Sequence, residues 1–233
     1  MRFRIDVTSA DGSTMLDWTE VYTPARGLLY QIIGEQDPQM AAELHDRGWA
    51  GSRIRPLGCA PPSFVRPGRS AAGYRIGRTG SIRLGSPVPQ IAGVLLAAMA
   101  GRRSIRWGSL ELAVQGISPE LAPDHSSGVA EFQSSTPILI AKDSRYLLPD
   151  AQQQDFTDML TANLRHRADV LGLPNDVDVE VLSAGGKRSF QVDGRLRVGA
   201  TARLRVQADP LLLDACYDGG IGLLTTEGWG WLK

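Results

Sequence analysis

The sequence predicts an α+β protein in which the order β-α-β-β-α-β occurs twice. Segments of alternating polarity, which are typical of strands, flank segments whose apolar residues recur every three or four positions, which are typical of helices. Proline opens most of the expected helices and glycine follows several of them, so their boundaries are marked. The 233 residues are 42% hydrophobic, enough to bury a sizeable core in one domain or in two small ones.

The first half of the chain contains one such unit. RFRIDV predicts a strand, and the helix after it has one apolar face formed by Leu28, Leu29, Ile32 and Ile33. The expected elements, in order, are a strand at 2–7, helices that open at Pro24 and Pro38, extended stretches at about 53–65 and 72–85, a helix that opens at Ser86-Pro87, and a strand within 104–117.

The second half repeats this order. The expected elements are an extended stretch within 129–142, a helix within 150–167, strands within 176–184 and 189–208, a helix N-capped by Asp209, and a last strand within 228–233. Two ferredoxin-like units, at 1–117 and 129–233 and joined by a linker at 118–128, are the simplest account of this pattern. The fold often binds single-stranded RNA on its open sheet, but the fold alone does not establish that function.

Positive and negative charges are unevenly distributed along the chain. Residues 1–117 carry 14 arginines against 9 acids, and residues 118–233 carry 11 basic residues against 16 acids, so a net charge of zero conceals halves of +5 and −5. Arginine occurs eleven times from Arg47 to Leu110, where Asp and Glu are absent. Because ordinary surfaces mix both signs, we expect this stretch to bind a polyanion, and its interleaved glycines and aromatic residues favour single-stranded nucleic acid.

Composition argues against several other classes. The chain has no apolar run of membrane-spanning length and its first residues lack the plan of a signal peptide, so we expect a soluble cytoplasmic protein. Cys59 and Cys216 do not have the spacing of metal ligands, and no cluster of histidines and acids predicts a metal site. We therefore expect neither a metal ion nor another cofactor.

The last fifteen residues, GGIGLLTTEGWGWLK, contain glycines at 220, 222, 228 and 230. A dinucleotide-binding fingerprint does not fit, because that motif precedes a long helix, whereas only three residues follow Gly230. The segment is either a tight connection between the helix after Asp209 and the last strand, or a place where the backbone approaches a ligand closely.

This segment and four others resemble a known family. G-I-G, five residues and G-W-G fit the glycine-rich signature of the CRISPR-associated endoribonucleases that process precursor CRISPR RNA, within the repeat-associated mysterious protein superfamily. LYQIIGEQDPQMAAELHDRG, IRPLGCAPPSF, GSIRLGSP and STPILIAKDSRYLLPD occur in the order found in that family, so the resemblance covers essentially the whole chain. Members often carry a Lys or Arg between the glycine pairs, whereas LLTTE at 223–227 has none.

The resemblance implies cleavage of RNA without a metal ion, in which a 2′-hydroxyl attacks the adjacent phosphate and leaves a 2′,3′-cyclic phosphate and a 5′-hydroxyl. It implies that His45 is the catalytic histidine, and a pKa near 6.5 suits an imidazole to proton transfer at cellular pH. Alternatively, His45 stabilises the C-terminus of its helix. Tyr30 would orient the leaving oxygen or would be a half-buried interface tyrosine. Arg53 or Arg55 would stabilise the transition-state charge.

The other two histidines, His125 and His166, are expected to lie exposed in the linker and on a helix. The remaining candidates would bind RNA. In the first half they are Arg55, Arg75, Arg78, Arg83, Arg102 and Arg103, and in the second half Lys187, Arg188, Arg195, Arg197, Arg203 and Arg205. In the glycine-rich segment they are Gly220, Gly222, Thr225, Thr226, Gly228 and Gly230. For the strand arginines, an outward-facing polar row is the alternative.

The expected partner is CRISPR repeat RNA, and no membrane partner is expected. Two other functions stay open: a non-catalytic RNA-binding subunit of a CRISPR effector complex, and a ferredoxin-like regulatory domain that binds small anions. Further subunits of an effector complex are possible partners. A homodimer is also open, because the acidic half of one copy could face the basic half of another.

Overall fold

Two large antiparallel sheets, one in each half of the chain, organise the structure. The computed structural model describes residues 1–10, 14–65, 68–70 and 73–233. Residues 66, 67, 71 and 72 of the arginine-rich stretch therefore lie outside the described residues. The predicted α+β class and tandem ferredoxin-like arrangement are confirmed, with all four strands of a ferredoxin-like unit in the sheet of the first half and three of the four in the sheet of the second half.

The sheet of the first half has the strand order β3-β6-β1-β8-β7. The strands of this half are β1 (Arg2–Ser9), β2 (Met15–Leu16), β3 (Gly58–Phe64), β4 (Gly68–Arg69), β5 (Tyr74–Arg75), β6 (Thr79–Gly85), β7 (Ser104–Trp107) and β8 (Leu110–Glu120), of which β2, β5 and β4 form a small separate sheet. Its helices are α1 (Pro24–Gln36), α2 (Pro38–Asp46) and α3 (Pro89–Met99). The strand expected within 104–117 is instead a hairpin, because Gly108 adopts a left-handed conformation (φ 59°) and reverses the chain.

The sheet of the second half has the order β12-β13-β9. Its strands are β9 (Val129–Gln133), β12 (Asp178–Val192) and β13 (Arg195–Gln207), and β10 (Ile140–Lys142) pairs separately with β11 (Arg145–Leu147). The helices are α4 (Gln153–Leu171) and α5 (Pro210–Gly219). The last strand expected within 228–233 is wrong: only an isolated bridge between Leu232 and Ser134 forms beside β9.

A stretch without helix or strand separates the two halves. It runs from the end of β8 at Glu120 to the start of β9 at Val129. The division into units at 1–117 and 129–233 with a linker at 118–128 stays a prediction.

The turn between α1 and α2 follows directly from the sequence Asp37-Pro38. Asp37 ends α1, since its amide donates to the carbonyl of Ile33 (2.7 Å), and its carboxylate caps α2 by accepting from the amide of Met40 (2.9 Å). Pro38 occupies the first turn of α2, where its missing N–H leaves no bond unmade. The predicted apolar face of α1 is buried against the first sheet, so the α1–α2 corner is held over that sheet.

The guanidinium of Arg2 joins the two halves. Arg2 is 3% exposed although it carries a charge. Its Nε donates to Glu120 Oε2 (2.8 Å), and its Nη1 donates to the carbonyls of Tyr217 (3.2 Å) and Leu232 (3.0 Å). The same guanidinium lies 4.0 Å from the ring centroid of Tyr217 and 4.8 Å from that of Trp231. One side chain of β1 therefore contacts β8, the end of α5 and the C-terminal segment at once.

We expect Arg2→Met to lower the free energy of unfolding by about 3–5 kcal/mol, because it removes the donor to two buried carbonyls and leaves Glu120 with Arg83 as its remaining partner. Arg4→Met is the matched control, since Arg4 pairs with Asp6 on the exposed face of the same strand and such pairs contribute about 0–1 kcal/mol. Urea unfolding of both variants measures the difference. Equal losses in the two variants would refute the role assigned to Arg2.

Candidate active site and nucleic-acid interface

Three predicted site residues meet at the C-terminal end of α2. His45 lies in its last turn, with its side chain 66% exposed. The ring of Tyr30, from α1, contacts the imidazole edge to face, with 5.3 Å between ring centroids, and its hydroxyl donates to the carbonyl of Leu44 (3.4 Å). Arg55 donates from Nε to the same carbonyl (3.0 Å) and from Nη2 to the carbonyl of His45 (2.6 Å). Arg55 therefore caps the helix that carries the histidine.

The loop after α2 brings Arg55 into this position. It reverses at Gly48, whose φ of 72° places it in the left-handed region, and the amide of Trp49 then donates to the carbonyl of Ile54 (2.9 Å). The chain thus folds back beneath the end of α2. Arg53 lies exposed on the same loop.

The imidazole of His45 has a carboxylate beside it. Its Nδ1 lies 2.9 Å from Asp46 Oδ1, and both side chains are largely exposed. In the neutral tautomer in which Nδ1 carries the proton, this contact is a hydrogen bond and Nε2 keeps a lone pair. That tautomer can accept a proton at Nε2. Beside it, burial raises the pKa of the Tyr30 hydroxyl, although nearby Arg55 opposes the shift, so the phenol stays protonated and can donate a hydrogen bond.

A cleft of about 480 Å³ adjoins this cluster through Arg53 and Arg55. Its lining residues come from both halves and include four arginines and no Asp or Glu. They are Arg53, Ile54, Arg55, Leu139, Ala141, Ser144, Tyr146, Asn163, Arg167, Arg197 and residues Gly222 to Thr226. The cleft therefore joins the candidate catalytic cluster to the glycine-rich segment in an environment that favours an anion.

The glycines of the C-terminal segment are explained by contacts within the protein. All four have positive φ values, and a Cβ on Gly230 would collide with the carbonyl of Ile221, while one on Gly222 would lie 2.9 Å from the carbonyl oxygen of Leu139. The amides of Ile221, Leu223 and Gly230 donate to carbonyls of Gly230, Leu139 and Pro137, each at 2.9 Å. A tightly bonded segment therefore follows α5, as one of the two alternatives predicts, although it leads to a single bridge at Leu232 and not to a strand. A contact with RNA stays a prediction.

The two threonines of this segment point inward. Thr225 and Thr226 are buried, and the Thr225 hydroxyl donates to the carbonyl of Leu57 (2.8 Å). That hydroxyl has only one proton, so in this conformation it can accept a hydrogen bond but cannot also donate one to a phosphate.

Glu227, the acid between the two glycine pairs, is 3% exposed. Its Oε1 accepts from Arg26 Nη1 (3.0 Å), and its Oε2, which makes no hydrogen bond, lies 4.0 Å from Arg197 Nε. Burial raises the pKa of Glu227, although Arg26 and Arg197 oppose the shift.

The other predicted RNA-binding residues of the first half lie apart from the cleft lining. Arg75, Arg78 and Arg103 are exposed. Arg83 donates to Glu120 (3.1 Å), and Arg102 forms an ion pair with Glu35. Two of these cations are thus already paired within the fold.

The basic residues of β12 and β13 divide into separate groups. Arg197 lines the cleft, and Arg188 lies in a second groove with Trp18 and Phe190. Arg203 and Arg205 both pair with Glu131 of β9, at 2.6 and 3.0 Å, as the alternative of an outward polar row predicts. Lys187 and Arg195 are exposed, and their role in RNA binding stays a prediction.

Sequence reasoning missed two buried charged groups and misplaced a histidine. Arg167 lies beneath the glycine-rich segment and Glu227 within it. His125 was expected to be exposed but is 5% exposed, because its Nδ1 lies 2.7 Å from Asp214 Oδ1 and its ring packs against Phe132 and Tyr217. His166 is exposed, as expected, and its Nε2 lies 3.4 Å from Ser52 Oγ.

The described residues offer neither a cluster of metal ligands nor a membrane-spanning helix. Across residues 1–10, 14–65, 68–70 and 73–233, no three His, Cys, Asp or Glu side chains come together as metal ligands. Among the helices of those residues, none combines the length and apolar character needed to cross a membrane.

Comparison with known proteins identifies the C-terminal half. Residues 120–233 match the family model described as "CRISPR associated protein Cas6, C-terminal". Among curated protein sequences, none was found to match the chain. The match includes the glycine-rich segment, so over this half of the chain it agrees with the family resemblance predicted from the sequence.

Several solved structures match over the whole of this chain, among them three with TM-scores of 0.75 to 0.79. One is described as "An RAMP protein binding different RNA substrates" (TM-score 0.79, 18% identity, 100% of this chain and 98% of that chain). The second is "Characterization of a Cas6-related gene from Pyrococcus furiosus" (TM-score 0.78, 17% identity, 100% and 97%). The third is "CRISPR associated protein Cas6" (TM-score 0.75, 17% identity, 100% and 98%). At these identities the likeness shows a shared fold.

The raised pKa of Glu227 predicts a specific pH dependence of stability. The folded protein holds the Glu227 proton more tightly than the unfolded chain does, so its contribution is present at low pH and is lost as pH rises above the usual glutamate value of about 4.3. Glu227→Gln should remove this decline in the free energy of unfolding, measured by urea titration at successive pH values.

The control for this measurement is Glu131→Gln. Hydrogen bonds from Arg205 and Arg203 lower the pKa of Glu131, so its contribution has the opposite sign and is lost as pH falls. Identical pH slopes in the wild type and Glu227→Gln would contradict the assignment.

Proposed function

We propose that this chain, whose residues 120–233 are a Cas6 C-terminal domain, binds CRISPR repeat RNA and cleaves precursor CRISPR RNA without a metal ion to give mature guide RNA. The observation that carries the proposal is the meeting of Tyr30, His45 and Arg55 at the end of α2, beside a cleft lined by four arginines and no acid.

In the proposed reaction, a 2′-oxygen forms a bond to the adjacent phosphorus while the bond from phosphorus to O5′ breaks. The 2′-hydroxyl proton passes to Nε2 of His45, whose Nδ1 proton is directed at Asp46. Tyr30 orients O5′ by exchanging its long hydrogen bond to the Leu44 carbonyl for one to this oxygen. O5′ receives a proton from water, and the imidazolium later returns its proton to solvent. The products are a 2′,3′-cyclic phosphate and a 5′-hydroxyl.

The two arginines of the loop after α2 have different proposed roles. Arg55 is a positioning residue, because its Nε and Nη2 already donate to the carbonyls of Leu44 and His45. Arg53 is exposed and lines the cleft, so it is the better candidate for stabilising charge on the phosphorane.

RNA beyond the cut would follow the cleft and the exposed basic residues of both halves. The proposed contacts are Arg75, Arg78, Arg103, Lys187, Arg188, Arg195 and Arg197, together with the backbone of Gly222, which lines the cleft. Gly220, Gly228 and Gly230 were also predicted to contact RNA, but they are buried and their amides already donate to the carbonyls of Cys216, Thr225 and Pro137. Arg83 and Arg102 would reach RNA only by exchanging their present partners, Glu120 and Glu35.

A non-catalytic RNA-binding subunit of a CRISPR effector complex is the second candidate. The observation that favours it is that neither other histidine joins His45 and Tyr30: His125 contacts Asp214 and His166 contacts Ser52. A site with a single imidazole has no second histidine to protonate O5′, so this proton must come from water. A homodimer and contacts with other effector subunits remain proposals for either function.

Incubation of the protein with repeat RNA in excess EDTA tests the proposal. We expect cleavage to products that end in a 2′,3′-cyclic phosphate, and His45→Ala should slow it by about 10²–10⁴-fold while RNA affinity is retained. His166→Ala, which removes an imidazole outside the cluster, is the matched control.

Three results would reject catalysis as proposed. Binding without cleavage by the wild type would favour the non-catalytic subunit. Cleavage only after magnesium is added would reject the metal-free reaction. Full activity in His45→Ala would exclude this histidine.

A further inference from the structure

Arg167 of α4 lies beneath the glycine-rich segment. The residue is 6% exposed, its Nη1 donates to the carbonyl of Gly220, and its Nη2 donates to the carbonyl of Gly222 (3.2 Å). Its Nε makes no hydrogen bond. A guanidinium has five N–H groups, so two carbonyls satisfy only part of its donor capacity.

The positive charge of Arg167 has no counter-ion within the described residues. None of the carboxylates described there lies within 4.0 Å of its guanidinium. Burial lowers the pKa of Arg167, but arginine remains protonated in proteins. A buried cation without a partner is unfavourable, and an anion bound nearby would relieve that cost.

The cleft beside Arg167 is where such an anion would fit. Arg167 lines it together with Arg53, Arg55 and Arg197, and its fifteen lining residues include no acid. Asn163, one helical turn before Arg167, also lines the cleft, and its Oδ1 is buried without a hydrogen-bond partner; as an acceptor, this oxygen would be satisfied by a hydroxyl donor of a ligand and not by the phosphate itself. The polar groups on this wall of the cleft are therefore not satisfied by the protein alone.

The segment above Arg167 supplies no positive charge of its own. The five residues between the glycine pairs, Leu223 to Glu227, contain no Lys or Arg, and Glu227 is already matched by Arg26. Arg167 of α4 therefore adds a positive charge directly below the segment, at a position that the linear motif does not reveal.

We propose that Arg167 supplies the positive charge for a phosphate group seated in the cleft against Gly222 to Thr226. The charge acts through a thin, water-poor layer of backbone, where electrostatic attraction is weakly screened. That this phosphate belongs to RNA rests on the proposed function. The anion site itself does not, since a free polyphosphate offers the same group.

The test compares Arg167→Lys with Arg167→Gln. Both side chains are shorter than arginine and both can donate to a carbonyl, so the two variants differ chiefly in charge. Arg165→Gln is the control, because it removes one exposed charge from the same helix at a site that does not line the cleft. The probes are a mixed-sequence single-stranded RNA and inorganic tripolyphosphate, with binding measured between about 50 and 200 mM KCl.

With RNA, we expect Arg167→Gln to reduce the steepness of log K against log salt by about 0.7, the value for one lost phosphate contact on a single strand. Arg167→Lys and Arg165→Gln should keep the wild-type slope. Equal slopes and affinities in folded Lys and Gln variants would mean that Arg167 only supports the loop, and would overturn the proposal.

The measurement with tripolyphosphate distinguishes failure of the anion site from failure of the proposed RNA function. Binding of tripolyphosphate that depends on the charge at 167, without binding of RNA, would support the anion site and reject the RNA function. Absence of binding by the wild type to either probe would reject both. Should neither variant fold, a crystal of the wild type soaked in tripolyphosphate decides the matter: phosphate in the cleft supports the site, and phosphate only elsewhere overturns it.

Discussion

The relative position of the two halves of the chain depends on one buried cation, Arg2, which contacts both halves. A sheet of the ferredoxin-like type can bury its core without help from a second copy, so nothing in either hydrophobic cluster by itself fixes how the halves meet. Arg2 contributes to it because its guanidinium contacts Glu120 of β8, two carbonyls of the C-terminal half and two aromatic rings simultaneously. A third apolar cluster, of Tyr22, Leu139, Val192 and Trp229, adds packing between the halves. The cleft between the arginine loop and the glycine-rich segment exists because this junction holds both sides at a set distance.

The candidate catalytic cluster is assembled from only two helices, α1 and α2, and the loop that follows them. Asp37 ends one helix and begins the next, which places Tyr30 of α1 against His45 of α2. The loop after α2 then folds back towards the end of that helix, where Arg55 donates hydrogen bonds to the carbonyls of Leu44 and His45. These carbonyls have no partner within the helix. These contacts join residues close together in the chain, which is why the candidate cluster could be predicted from one contiguous stretch of sequence.

Sequence reasoning was therefore strongest where contacts are local and weakest where they are distant. The helices that open at Pro24, Pro38 and Pro210 and the apolar face of α1 were predicted, because capping and periodicity are properties of neighbouring residues. The environments of His125 and Arg167 were not, since each is created by partners from other elements, Asp214 at one and the carbonyls of Gly220 and Gly222 at the other.

The last strand was lost for a different reason. Left-handed glycines at 228 and 230 interrupt the extended backbone that its apolar residues suggest, leaving a single bridge at Leu232.

The internal bonding of the glycine-rich segment has a consequence for recognition. The segment is held by hydrogen bonds from the amides of Ile221, Leu223 and Gly230 to carbonyls of the same segment and of the stretch from Pro137 to Leu139. Arg167 donates to it from below, so its conformation is already ordered before a ligand binds. A surface that is already ordered loses little conformational freedom when it binds, in contrast to glycine-rich loops that must first be immobilised. For the proposed RNA ligand, selectivity at this wall of the cleft would then depend on how well the RNA fits a fixed protein surface. The RNA, and not the protein, would lose most of the conformational freedom on binding.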